Sequence, residues 1–165
     1  MPVTGRTRIM KMVFLFDKEV LPDFKKDRAF DEVSMPEFFS WKYGPFSKDL
    51  LNDLEFLINQ GYIRAVSSQT YPTTPEVAEY EFWISDFENF QAQEYDEETF
   101  DLTTLKGIPK ARMLWDSLSK NQQEQLSEFK AVLNKASLDR ILEYVYKKYR
   151  TDYTDKSLIR EKYLL

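Results

Sequence analysis

The sequence predicts one compact, mainly α-helical domain with a small β-hairpin, in which a mixed part, residues 1–101, precedes a helical part, residues 102–165. Three observations predict it. Apolar residues return at helical spacing in stretches bounded by serine caps, prolines and a glycine. Two short runs rich in aromatic and β-branched residues are joined by a turn-forming segment. The 165 residues include 13 Phe, 10 Tyr and 3 Trp but only 4 Gly and 7 Pro, enough apolar bulk for a core and few chain breakers.

The first element is "RTRIMKMVFLFDKEV", Arg6 to Val20. Ile9, Met12, Val13 and Phe16 recur at i, i+3, i+4 and i+7, and Met10, Phe14 and Leu15 widen the stripe, so the spacing predicts a mostly buried helix that Pro22 ends. Residues 23–36 are charged and poor in pattern, a loop leading to a short extended or helical piece around Phe38, Phe39 and Trp41. Ser47 can cap the next helix, about Lys48 to Gln60, and Gly61 suits the position after its last turn. Leu50, Leu51, Leu54, Leu57 and Ile58 share one stripe, which leaves Lys48, Asp49, Asn52, Asp53, Glu55 and Asn59 outward, with Phe56 projecting from the polar side.

After Gly61, "YIRAVSS" and "EYEFWIS" predict a hairpin whose long tip is "QTYPTTPEVA". A helix that stops at glycine and passes at once into a hairpin has the chain order of a winged-helix-like module. The last third is helical: Pro109 stands near the start of "IPKARMLWDSLS", with Met113, Leu114 and Leu118 on one side. Ser119 can cap "KNQQEQLSEFKAVLNKA", Ser137 can cap "LDRILEYVYKKYR", and a final short helix is expected after Lys156.

Composition narrows the chemistry. The chain has neither cysteine nor histidine, which excludes disulfides, thiolate catalysis, cysteine-bound zinc and every nucleophile–histidine arrangement. Gly5 and Gly44 are isolated, so there is no phosphate-cradling glycine loop, and 28 acidic residues offer too many carboxylate pairs for any one to be singled out. No catalytic residue, metal or cofactor is assigned, and no enzyme is expected. The most apolar early run, "IMKMVFLF", is far shorter than the roughly 20 residues of a membrane span and lacks a signal-peptide cleavage site. The expectation is a soluble, cytoplasmic protein.

The net charge of −5 is segregated: residues 1–75 sum to zero, residues 76–101 carry ten acids and no base, and residues 102–165 carry +5. A DNA-reading helix needs Arg, Lys, Asn or Gln toward base edges and cations beside phosphates. The outer face of 48–60 instead sets one lysine against Asp49, Asp53 and Glu55, which repels phosphate. Contacts to nucleic acid would fall to Arg6, Arg8 and Lys11, or to Lys147, Lys148 and Arg150 with tyrosines interleaved among them. The simpler reading of the latter is that Leu142, Val145 and Tyr149 belong to the core while the cations complement a helix dipole. The basic end can also meet the acidic segment of its own chain or of a second copy, which would make a homo-oligomer.

In "EYEFWISDFENFQAQEYDEETFD" carboxylates alternate with Phe82, Trp83, Phe87, Phe90, Tyr95 and Phe100. Either the aromatics face the core and the acids keep an edge soluble, or the acids steer a basic protein partner onto exposed aromatic anchors. Glu94, Asp96, Glu97 and Glu98 form the densest cluster, without the glycine-punctuated loop of a calcium site. Asp49, Asp53, Phe56 and Gln60, spaced by three or four, form one patch on the helix. These eight residues are the expected partner-binding set.

Taken together, "GRTRIMKMVFLFDKE", "WKYGPFSKDLLNDLEFLINQGYI" and "YVYKKYRTDYTDKSLI" resemble the YwgA-like prokaryotic family, related more distantly to the Panacea domain of SocA-like antitoxins and phage-associated proteins. The matching residues are Thr7, Ile9 and Lys11 in the first helix, Tyr43 to Ser47 in the turn, Leu50, Leu54 and Leu57 in the second helix, then Gly61 and Ile63. The resemblance implies a winged-helix-like domain that binds a protein partner, such as a toxin or a host or phage factor, in a defence or counter-defence setting. The long acidic stretch departs from the family pattern. A non-enzymatic protein-interaction module is therefore the leading expectation, and a nucleic-acid-associated regulator of winged-helix type the alternative.

Overall fold

The computed structural model describes residues 2–26, 35–41, 44–67, 98–150, 152–154, 157 and 162–163. The chain is mainly helical, with two small antiparallel sheets. Strand β1 (Val3–Thr4) leads into α1 (Arg6–Leu15), which continues as a π-helical turn, Phe16–Val20, and a short α2 (Leu21–Phe24). Strands β2 (Phe39–Trp41) and β3 (Gly44–Phe46) pair with each other ahead of α3 (Lys48–Asn59). β4 (Ile63–Ser67) and β5 (Glu98–Leu102) follow, then α4 (Gly107–Asp116), α5 (Lys120–Lys135) and α6 (Leu138–Lys148). Among the described residues no helix is long and apolar enough to cross a membrane.

The first helix does not stop at Pro22. The N–H of Leu21 donates to the carbonyl of Phe16, a bond five residues back that widens the turn. Pro22, which has no N–H to offer, then falls in the first turn of α2, where none is needed. The deepest side chains of α1 are Met10, Phe14 and Leu15, expected at the margins of its stripe, while Ile9, Val13 and Phe16 are half-buried. The helix is covered on several sides: α6 takes Phe14 and Leu15 against Ile141 and Val145, and the β2–β3 and α3 side takes Met10 against Phe46, Leu50 and Leu51. The rings of Phe38, Tyr149 and Tyr153 meet Phe14 edge-on at 5.3, 4.9 and 4.9 Å, so Tyr149 and Tyr153, both half-buried, pack against the core.

The larger sheet has the order β1-β5-β4, with β5 at its centre. Phe100 of β5 is buried and lies opposite both Val3 and Ala65. The strand after α3 therefore pairs with residues 98–102; the second expected strand, 79–85, and the hairpin tip lie outside the described residues. Gly44, the first residue of β3, has φ +88°, and a β-carbon there would sit 3.2 Å from the hydroxyl of the buried Tyr146 of α6. Of the expected last helix only residues 162–163 are described, and they are helical.

The capping expectations for the last two helices match the structure closely. The side chain of Ser119 accepts from the Gln122 N–H at 3.1 Å while the Gln122 carbonyl oxygen takes the Ser119 N–H at 2.9 Å. The other end of the Gln122 amide donates to the Phe24 carbonyl at 3.1 Å, which ties the start of α5 to the end of α2. Ser137 caps α6 through the N–H of Arg140. Met113 and Leu114 of α4, by contrast, are more than half exposed.

Candidate functional site

Helix α3 is built as its sequence prescribes. Ser47 accepts from the Leu50 N–H at 3.2 Å, and Gly61, at φ +79°, releases the chain at the other end. Leu50, Leu51 and Leu54 are buried, with Leu57 and Ile58 half-buried beside them. On the opposite side Asp49, Asp53, Phe56 and Gln60 are all exposed, and Phe56 leaves 59% of its surface in solvent. A large aromatic ring standing among carboxylates on a rigid helix has the make-up of an interface anchor. Asp49 is partly engaged, since its carboxylate accepts the Glu37 N–H at 3.2 Å.

The C-terminal end of this face is extended by the turn between β5 and α4. Lys106 donates to the Gln60 carbonyl at 2.6 Å and stands over the Tyr62 ring at 4.4 Å. Its neighbour Leu105 is 94% exposed, more than any other large apolar side chain among the described residues. Sequence reasoning missed Leu105 because "LTTLKG" has no apolar period for it to join; an unpaired leucine in a threonine-rich turn was the available signal. Beside Asp53, a groove of about 350 Å³ runs between α1, α3 and β5, lined by Val13, Leu54, Leu57 and Phe100 among others.

Several residues expected on contact surfaces are internal. Arg6 is buried and bridges two elements, donating to Glu55 of α3 at 2.9 Å and to Glu98 of β5 at 3.1 Å. Burial pulls the guanidinium down, but the two carboxylates outweigh it and hold Arg6 above its ordinary value. Glu98, expected in the acidic contact cluster, is thus a buried ion-pair partner, and Glu55, expected outward, is half-buried by the same bridge. Lys11 is also internal: its amine donates to the Pro45 carbonyl at 2.7 Å, and burial pushes it down to about 7. Arg8, half-buried, donates to the carbonyls of Leu133 and Ala136 at 2.7 and 2.6 Å, answering bare acceptors at the end of α5. A helix-surface position beside a charged or carbonyl acceptor on another element draws such cations inward, and no local pattern announces that.

Among the C-terminal cations, Lys147 pairs with Glu143 at 2.6 Å and Lys148 pairs with Glu19. Arg150 is exposed at the end of α6. Glu94, Asp96 and Glu97 lie outside the described residues. The structure thus brings Asp49, Asp53, Phe56 and Gln60 together on one exposed face and removes Glu98, Arg6 and Lys11 from the surface. No family model, curated protein or solved structure matches the chain.

Proposed function

We propose that this chain is a non-enzymatic protein-interaction module of antitoxin-like or phage-associated style, which meets a protein partner through the outer face of α3 and the Leu105–Lys106 turn. The exposed ring of Phe56 carries the reading. It is held by a helix whose opposite side is fixed in the core, so a partner meets a preorganised aromatic group, while Asp49 and Asp53 favour a basic surface on that partner. The reading is supported by an antiparallel β4–β5 pair following α3 in the chain, as in a winged-helix-like module, and by contact between two of the three stretches that carry the YwgA-like and Panacea resemblance, where Lys11 reaches Pro45. The competing regulator of nucleic acid has less support, because Arg6 and Lys11 are internal and Lys147 and Lys148 are engaged with carboxylates.

The test begins with affinity capture from the native host and continues with the captured protein purified and titrated. Phe56→Ala is expected to weaken that complex by 2 kcal/mol or more, about 30-fold, with an unchanged melting temperature. Leu54→Ala, at the buried side of the same helix, is expected to cost about 2–5 kcal/mol of stability instead. Loss of fold in Phe56→Ala, or binding of duplex or single-stranded nucleic acid that weakens steeply with salt, would refute the reading.

A further inference from the structure

A separate cavity of about 520 Å³ opens where the end of α1 and the π-helical turn meet α5 and α6, a volume within the roughly 300–1,000 Å³ of small-molecule sites. It shares no residue with the α3 face. Leu15, Val20, Phe129, Leu133 and Ile141 supply an apolar lining. One side is the π-helical turn itself, a local irregularity that recurs at functional sites and here carries Glu19 to α6. The Glu19 carboxylate accepts from the hydroxyls of Tyr144 and Tyr149, at 2.7 and 3.1 Å, and from Lys148. Burial pushes Glu19 up, but these donors outweigh it and keep its carboxyl below the ordinary range.

Four charged side chains line the cavity: Glu19, Asp23, Glu128 and Arg140. Two are already answered, Glu19 by Lys148 and Asp23 by Lys26 at 3.1 Å. Glu128 and Arg140 form no salt bridge with each other or with any other described residue. What remains is an apolar trough bearing one uncommitted carboxylate and one uncommitted guanidinium. A fatty acid would use Arg140 alone and face three carboxylates; an apolar amine would leave Arg140 unanswered. Gln125, in the same lining, has its carbonyl oxygen buried without a hydrogen-bond partner among the described residues, and rotation about its broad terminal torsion can offer that acceptor to a ligand N–H.

We propose that this cavity binds a short apolar peptide of dipeptide size in its zwitterionic form, the ammonium directed to Glu128 and the carboxylate to Arg140. The two charges set orientation, the apolar lining takes the side chains, and the amide between them meets Gln125. The reading is independent of the partner surface on α3: either can fail while the other stands.

Isothermal titration of the full chain with leucyl-phenylalanine, its N-acetyl form and its C-terminal amide tests the proposal. One-site binding of the parent dipeptide tighter than about 1 mM is expected. Each blocked form is expected to bind roughly two- to fivefold more weakly. Glu128→Gln should weaken the parent by that factor and leave the N-acetyl form unaffected, and Arg140→Gln should do the same for the amide. Val132→Trp changes a side chain that is 66% exposed at the cavity's edge, so the fold tolerates it, and the indole should abolish binding by filling the space. Absence of saturable binding by the parent, equal binding of the blocked forms, or undiminished binding by Val132→Trp would each overturn the proposal.

Discussion

The buried amine of Lys11 makes stability depend on alkaline pH in a direction that can be worked out. The folded protein holds this amine at about 7 because burial penalises the charged form, against an ordinary lysine value of 10.5. Between these values the unfolded chain carries a proton that the folded chain does not, so stability rises with pH across that window. Below about 7 both states are charged and the penalty is present in full; above 10.5 both are neutral and it is gone. At about 1.36 kcal/mol per pH unit the span corresponds to an upper bound of about 5 kcal/mol. Lys11→Met keeps the stem and removes the ionisable group, so the difference in unfolding free energy between the two proteins isolates this residue from other titrating groups. Tyr149, pushed up to about 12, titrates above the window. Urea unfolding at several pH values from 7 to 10 is expected to show the native protein gaining several kcal/mol on the variant as pH rises. Near pH 10 it should draw level with the variant, because the penalty of about 1 kcal/mol that remains there is offset by the bond to the Pro45 carbonyl, worth about 1 kcal/mol. A difference that stays flat from pH 7 to 10 would refute the argument that this amine is buried and neutral.

Three further predictions concern how the elements are joined. Gly107→Ala should gain stability by helix propensity alone, yet its β-carbon would collide with the Tyr62 carbonyl oxygen, so a loss of about 1–3 kcal/mol is expected by chemical denaturation. Ser119→Ala removes the acceptor that starts α5 and should cost about 0.5–2 kcal/mol in the same assay. Arg6→Met leaves Glu98 charged and buried, which should cost about 3–5 kcal/mol, whereas combining it with Glu98→Met should restore much of the loss.

What was legible in the chain was what neighbouring residues determine. Ser47, Ser119 and Ser137 cap the helices they precede, Gly61 ends α3, and the leucine stripe of α3 faces inward, because a cap or a period needs only a few adjacent residues. The pairing of β4 with residues 98–102 was not legible because that partner is distant in sequence and a nearer run, 79–85, which lies outside the described residues, also has strand composition. The continuation of the first helix through Pro22 was missed because it depends on a single bond shifted by one residue, from Leu21 to Phe16, which no period reveals. For the candidate site, the exposed patch on α3 was legible from the helical wheel, while the inward positions of Arg6, Lys11 and Glu98 depend on carboxylates and carbonyls delivered by remote elements.

These inward positions bear on function through charge. The cations at the front of the chain act as fasteners: Arg6 joins α1 to α3 and β5, Arg8 joins it to α5, and Lys11 joins it to the Pro45 turn. Each neutralises or is absorbed by an internal acceptor, so none adds positive potential to the outer face of α3, where Asp49 and Asp53 remain in solvent. A phosphate backbone approaching that face would meet carboxylates without a compensating cation from α1, whereas a basic protein surface would meet them together with the apolar anchor of Phe56. The same fasteners make the face rigid, since α3 is held to α1 through Glu55 as well as through its leucines. Reversing the charge with Asp53→Lys should therefore slow association with a basic partner and make the measured on-rate less sensitive to ionic strength, with an unchanged melting temperature, because Asp53 forms no salt bridge with any described residue.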